Sequence, residues 1–290
     1  MAGILDNVTS GLPLNQGQRI VIAGAEGSGK TTLACGAPNA LLVPCELGYA
    51  TMTVPKTPKI ETWEQVLQLC EELRTKAMRG QLARGSSLIW DSGTALERMC
   101  DDFTVRTDPT YKAGNKTGLT MATAHGAFGK AYSVSLQNFQ VWARYMDELA
   151  VHGGINVIVT CHVFASMVLD PAHGEFHTWD LLLYSPKNAK TYGQREFVTQ
   201  WADMIGFLHE PMFVVKNDKN QGLQQGVSSN QGRMLAVDRK PAWVAKNRYN
   251  MTGLIAIPDP KAPGSPANSW NHLADAIYKN SGIDLYNRSI

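Results

Sequence analysis

The chain is poor in cysteine, and none of its cysteines is paired in sequence. Cys35, Cys45, Cys70, Cys100 and Cys161 are five in number, lie far apart and form no C-x-x-C pair. This excludes a disulfide framework and a zinc ribbon, and it reads as reduced, mostly buried thiols in a cytoplasmic protein. Long apolar runs are missing too: no stretch approaches the roughly 20 residues a membrane span needs. Met1–Arg19 has no basic segment ahead of a long apolar core, so no secretion signal is read there. An excess of one charge sign is also absent. A formal net charge of +2 over 290 residues leaves any basic surface local rather than global. No internal repeat is found. The 44% of hydrophobic residues is enough for one sizeable core.

Apolar runs alternate with helical patterns along most of the chain. Arg19–Ala25 reads as a short strand entering a glycine turn, and Thr31–Ala37 opens a helix. Asn39–Glu46 is a second strand. In Thr62–Met78 the residues Val66, Leu67, Cys70 and Leu73 share one helical face, with Thr62 as N-cap. Ser86–Ser92 is a buried strand, Asn138–His152 a helix, and Ile155–Val163 the longest strand-like run. Such alternation predicts an α/β fold with a mainly parallel sheet flanked by helices. After Asp203 short strands follow one another (Met204–Glu210, Met212–Asp218, Gly232–Arg239, Pro241–Arg248), which predicts an antiparallel C-terminal extension. The expected organisation is a main α/β domain over residues 1–257, a Pro/Gly-rich linker over 258–269 and a helical tail over 270–290. Thr104–Lys130 and Phe164–Gln200 read as long irregular polar segments, which in a compact domain are usually functional.

The most specific motif is Gly24–Thr31, GAEGSGKT, which matches G-x-x-x-x-G-K-[ST] between a strand and a helix. Its glycines let successive backbone N–H groups turn inward onto phosphate oxygens. The candidate nucleotide contacts are Gly24, Glu26, Gly27, Ser28, Gly29, Lys30, Thr31 and Thr32, with Lys30 reaching the β- and γ-phosphates. ATP and Mg²⁺ are the expected cofactors, the metal held by the Thr31 hydroxyl and by Asp91 at the end of a buried strand. Asp91 also suits a helix N-cap, since a helical pattern follows it. Glu46 ends a strand at the same sheet edge and can take a proton from water; a plain surface glutamate is the alternative. His162, at a third strand tip, either senses the γ-phosphate or makes a structural hydrogen bond. His173 and His177 lack a third ligand for a metal site.

The order of these parts resembles the RecA-like P-loop ATPases: phosphate loop, a strand ending in Glu46-Leu47-Gly48, Asp91-Ser92, a strand ending in His162, then Ala202-Asp203 before an edge strand. The end of the pattern, Ala245-Lys246-Asn247-Arg248, is similar to the K-N-R-F-G motif of the RecA-related bacterial repair ATPase RadA and to the AKNR ends of short phage recombinases. Tyr249-Asn250 stand where RadA has Phe-Gly, which brings the chain nearer the phage group. The resemblance covers about Arg19–Pro258 and implies a phage-type single-strand annealing ATPase with a RecA-like core.

In that family the terminal Lys and Arg reach a neighbouring subunit's ATP site, so the resemblance assigns catalytic roles in trans to Lys246 and Arg248, beside Lys30 and Glu46. It implies single-stranded DNA, further copies of the chain and a single-strand DNA-binding protein as partners, with no membrane. It also places DNA against the two polar segments. There Arg106, Lys112, Lys116, Lys130, Lys187, Lys190 and Arg195, interleaved with Tyr111 and Tyr192, suit a single strand, since cations track phosphates and rings stack on bases. Solvated surface loops are the alternative for both segments. Rival functions are a nucleotide-gated DNA-binding scaffold with little hydrolysis, a RecA-core helicase or packaging ATPase, and a small-molecule phosphotransferase.

Overall fold

The computed structural model describes residues 16–114, 118–170, 174–186, 192–215, 225–228, 232–259 and 268–286. The elements run β1 (Arg19–Ala23), α1 (Lys30–Cys35), β2 (Ala40–Pro44), α2 (Trp63–Met78), β3 (Ser87–Asp91), α3 (Gly93–Arg106), α4 (Pro109–Lys112), α5 (Lys130–Val151) and β4 (Asn156–Cys161). They continue with β5 (Val163–Asp170), β6 (Gly174–Leu181), α6 (Gln194–Trp201), β7 (Met204–His209), β8 (Met212–Val215), β9 (Gln225–Ser228), β10 (Arg233–Ala236), β11 (Lys246–Asn247), β12 (Leu254–Ile257) and α7 (Trp270–Ser281).

The main sheet has the order β12-β10-β7-β1-β4-β3-β2, with β11 also paired to β7. From β7 to β2 every pairing is parallel, while β10, β11 and β12 add antiparallel. The expected α/β class, with its parallel core and antiparallel extension, is the fold of the chain. One strand changes sides: β7, grouped in sequence with the extension and taken as an edge, is an inner parallel strand beside β1. Its apolar run, Met204–Leu208, is buried on both faces, which is the signature of such a position.

Alternate strand residues feed two cores. Val21, Ala23, Leu88, Trp90, Val157 and Val159 pack with α2, α3 and α5, whereas Ile20, Ile22, Ile89 and Ile158 pack with α1 and α7. Fully burying each such Val, Leu or Ile side chain stabilises the fold by roughly 1.5–3 kcal/mol. The first core is aromatic, with Trp90 edge-on to Trp142 and Phe139 beside both Trp63 and Trp142. Into the second core α7 sinks Trp270, Leu273, Ala274 and Ile277. Thr62 caps α2 through a reciprocal pair with Gln65, as its pattern predicts.

Two polar segments read as irregular are more ordered than that. Phe164–Gln200 contains the antiparallel hairpin β5–β6 and helix α6. The hairpin mixes polar and apolar residues on both faces, so single-sequence alternation does not reveal it; the pairing itself supplies the order. The run Ile155–Val163 is likewise two strands, broken at His162. Within Thr104–Lys130, α3 extends to Arg106, and Asp108 caps α4 and accepts the backbone N–H of His125. Among the described residues no helix is long and apolar enough to cross a membrane.

Candidate nucleotide site

Parallel strands deliver their C-terminal ends to one sheet edge, and the sheet order decides which ends meet. The phosphate loop follows β1, Asp91 ends β3, and β4 lies between them carrying Thr160, with His162 just past its end. Glu46 lies just beyond the end of β2, on the far side of β3. Residues far apart in sequence are thus brought to one edge, where an open α/β sheet binds its ligands.

The loop begins with a glycine for a steric reason: a β-carbon on Gly24 would lie 2.6 Å from the Leu208 carbonyl oxygen of β7. Lys30 is buried and folds back along the loop, donating to the Gly24 and Ala25 carbonyls at 2.9 and 2.8 Å. Burial lowers its pKa, opposed by the negative charges of Asp91 and Glu46. The Thr31 hydroxyl donates to Asp91 Oδ2 at 2.9 Å, and Thr160 donates to Oδ1. The helix after β3 is capped by Ser92, whose Oγ accepts from Ala95 N–H, so Asp91 is free of the capping role.

Glu46 and His162 form a pair, with His162 Nε2 2.9 Å from Glu46 Oε1. That bond is the largest influence holding the Glu46 carboxyl below its usual range, with the Ser92 hydroxyl and Lys30 adding to it against partial burial. Glu46 is therefore a carboxylate throughout the neutral range. Its partner is itself fixed: the His162 backbone N–H donates to Thr94 Oγ1 at 3.2 Å, and its buried Nδ1 has no hydrogen-bond partner. The next residue, Val163, starts the β5–β6 hairpin.

These groups suit Mg²⁺–nucleotide. Magnesium takes one or two protein oxygens and completes its shell with water and phosphate, and Thr31 and Asp91 supply such a pair. No cluster of three or more His, Cys, Asp or Glu among the described residues offers an all-protein metal cage. Glu26, by contrast, is exposed on the loop, and Thr32 sits half-buried in the first turn of α1.

Lys246 and Arg248 lie at the opposite sheet edge. Lys246 pairs in register with Ile205 and Asn247 with Met204, at the start of β7. Arg248 forms an ion pair with Asp203 at 2.7 Å, and both Arg248 and Lys246 donate to the Gln200 carbonyl. Neither faces the phosphate loop of its own chain. Of the basic residues in the polar segments, Arg106 pairs with Glu64 and Arg195 with Asp180 and Glu196. Arg106 also lines a cavity of about 320 Å³ with Asp101, Asp102, Val105 and Met121. Lys130 is the first residue of α5, and Lys112 the last of α4. Lys116, Lys187, Lys190 and His173 lie outside the described residues.

One residue at the loop escapes sequence reasoning altogether. Arg233, the first residue of β10, lays its guanidinium against Gly29. Only the crossover that returns β10 beside β7 brings it there, and no motif marks it.

Residues 16–249 match the family model described as an AAA domain, and the chain belongs to that family. This makes it a nucleotide-binding ATPase-type protein with a P-loop. None of the curated proteins matches the sequence.

Proposed function

We propose that the chain hydrolyses ATP as part of DNA recombination, binding single-stranded DNA and promoting annealing or strand exchange. The observation that carries the reading is the Glu46–His162 pair, because it joins a hydrolytic carboxylate to the base of the β5–β6 hairpin. Hydrolysis proceeds by attack of a water oxygen on the γ-phosphorus. The bond from that phosphorus to the β–γ bridging oxygen breaks, Glu46 takes the water proton, and ADP and phosphate leave. Lys30 neutralises charge on the phosphates, and Mg²⁺, held by Thr31 and Asp91, supplies further charge neutralisation when bound. Glu46 turns with the water it holds, so His162 carries the change to the hairpin. The process, annealing or exchange, rests on the resemblance of the ordered motifs.

Lys246 and Arg248 act in this reading on the site of a second copy, as a cation supplied in trans. Their place at the edge remote from their own loop supports it, since an assembly that stacks one sheet edge on the other brings them to a neighbour's nucleotide. A single-strand DNA-binding protein is the expected partner for loading.

The test is ATP turnover with and without single-stranded DNA. DNA should stimulate turnover, and Lys246→Ala/Arg248→Ala should remove the stimulation. Mixing that double variant with Lys30→Ala, each without DNA-stimulated turnover alone, should restore the stimulation, because one supplies the site and the other the cations. Turnover indifferent to DNA and to the double substitution overturns the reading in favour of the nucleotide-gated scaffold or the small-molecule phosphotransferase.

A further inference from the structure

Arg233 is placed by topology before it is placed by contact. β10 runs antiparallel to β7 with Met234 opposite His209, so the strand starts at the edge where β7 ends. Leu235, two residues on and hence on the same face, packs in the core that contains Leu33 and Ala34 of α1. Arg233 therefore extends that face outward over the phosphate loop. A β-carbon on Gly29 would collide with Arg233 Nη1 and lie 3.1 Å from Cζ. Gly29 has φ of 90°, a conformation that itself favours glycine, so the loop leaves this space for the guanidinium.

The guanidinium is poorly satisfied for a side chain that is 18% exposed. Its Nε is buried without a hydrogen-bond partner. Nη2 makes one long bond, 3.4 Å to the Pro258 carbonyl, and stands 3.7 Å from the more exposed Asp259 carboxylate. A fork of five donors is thus anchored weakly, and it rests on the residue next to Lys30, the other cation of the loop. Two cations drawn to one loop repel each other unless a multiply charged anion lies between them. A guanidinium is the group best shaped to hold phosphate oxygens in pairs.

We propose that Arg233 is a second cation of this site, holding from within the same chain the α- and β-phosphates that the loop backbone cradles. The proposal rests on the nucleotide reading above and adds to it a positioning residue from the antiparallel extension. Because α- and β-phosphates are common to ATP and ADP, both nucleotides should depend on it alike.

Calorimetric titration of the full chain with ATP and with ADP tests this, using Arg233→Gln, Arg233→Lys and Lys30→Ala. Arg233→Gln should raise Kd for both nucleotides about tenfold, and Arg233→Lys should recover part of that loss. The melting temperature without nucleotide should stay within a few degrees of wild type, while the rise on adding ADP shrinks. Wild-type affinity in Arg233→Gln overturns the proposal. So does a loss confined to ATP, which moves the contact to the γ-phosphate, or a loss that Arg233→Lys does not relieve at all. If Lys30→Ala binds like wild type, the nucleotide reading itself has failed; if Lys30→Ala loses binding and Arg233→Gln does not, only the role of Arg233 has.

Discussion

Both edges of the parallel sheet carry charged side chains, and they arrange them to opposite ends. At the edge that starts the strands, charges are matched. Arg19 donates to Asp203 through Nε and Nη2 and to Asp147 through Nη1, Arg248 joins the same Asp203, and Trp201 Nε1 donates to Asp147. Arg19 also lies over the Trp201 ring. Asp203 holds the Arg19 guanidinium above its ordinary pKa, so this cation is locked in its charged form. At the edge that ends the strands, valences are left over: His162 Nδ1, Ser28 Oγ and Arg233 Nε are buried without partners. The first edge is a clasp that joins β1, α5, α6, β7 and the segment after β11. The first edge also buries the Ser87 Oγ without a partner, but the second gathers these three atoms, on an imidazole, a hydroxyl and a guanidinium, and unmet capacity so concentrated points to a ligand.

Substitutions can break this contrast. The largest effect should come from Glu46→Gln, which keeps the shape of the pair with His162 but removes the carboxylate proposed as the base. Turnover of ATP should fall about 10²–10⁴-fold, with nucleotide affinity within about threefold of wild type. Steady-state hydrolysis together with titration checks both, and equal losses in the two would show that Glu46 binds rather than reacts.

On the other edge, Asp203→Ala strands Arg19 and Arg248 together. It should cost about 3 kcal/mol of stability in urea unfolding while the folded protein keeps its affinity for ADP. A large change in ADP affinity would show that the two edges are coupled through β1 and β7 rather than separate.

A smaller effect sharpens the picture of the site edge. Glu97, on α3 near Cys161, accepts the Tyr184 backbone N–H at 2.7 Å, and burial pushes its pKa up to about 8. A carboxyl raised in the folded state favours folding below its unfolded pKa of about 4.3, and that contribution is lost as pH rises toward 8. Glu97→Gln keeps the acceptor and removes the titration. It should therefore be more stable than wild type at pH 8 by about 1–3 kcal/mol and equal to it near pH 4. Asp101, pushed up to about 6 by burial, leaves a weaker dependence over the lower part of the same range. Unfolding curves at the two pH values decide it.

Much of the site is legible in the order of the residues alone. A phosphate loop is a local device, in which glycine spacing, one lysine and one hydroxyl act within eight residues, and local spacing survives in sequence. Asp91 is legible as a strand-end carboxylate, whereas the structure decides against the capping alternative, because Ser92 caps α3 in its place. The bond between Glu46 and His162 is not, since 116 residues separate them and only the order β4-β3-β2 brings their strand ends level. The hairpin β5–β6 is hidden by its mixed faces, and the position of β7 by the short strands that follow it in sequence, with which it reads as one antiparallel group. The Arg248–Asp203 ion pair is equally invisible, because it forms through the pairing of β11 with β7.

The sequence by itself therefore determined the fold class, the phosphate loop and the set of strand-end residues, through periodicity and short-range spacing. Tertiary structure alone decided which of them touch: the pairing of Glu46 with His162, the clasp around Asp203 and the seat of Arg233 over Gly29. The physical reason is that strand order is a long-range choice, made by burying both faces of the sheet at once, and no local pattern encodes it.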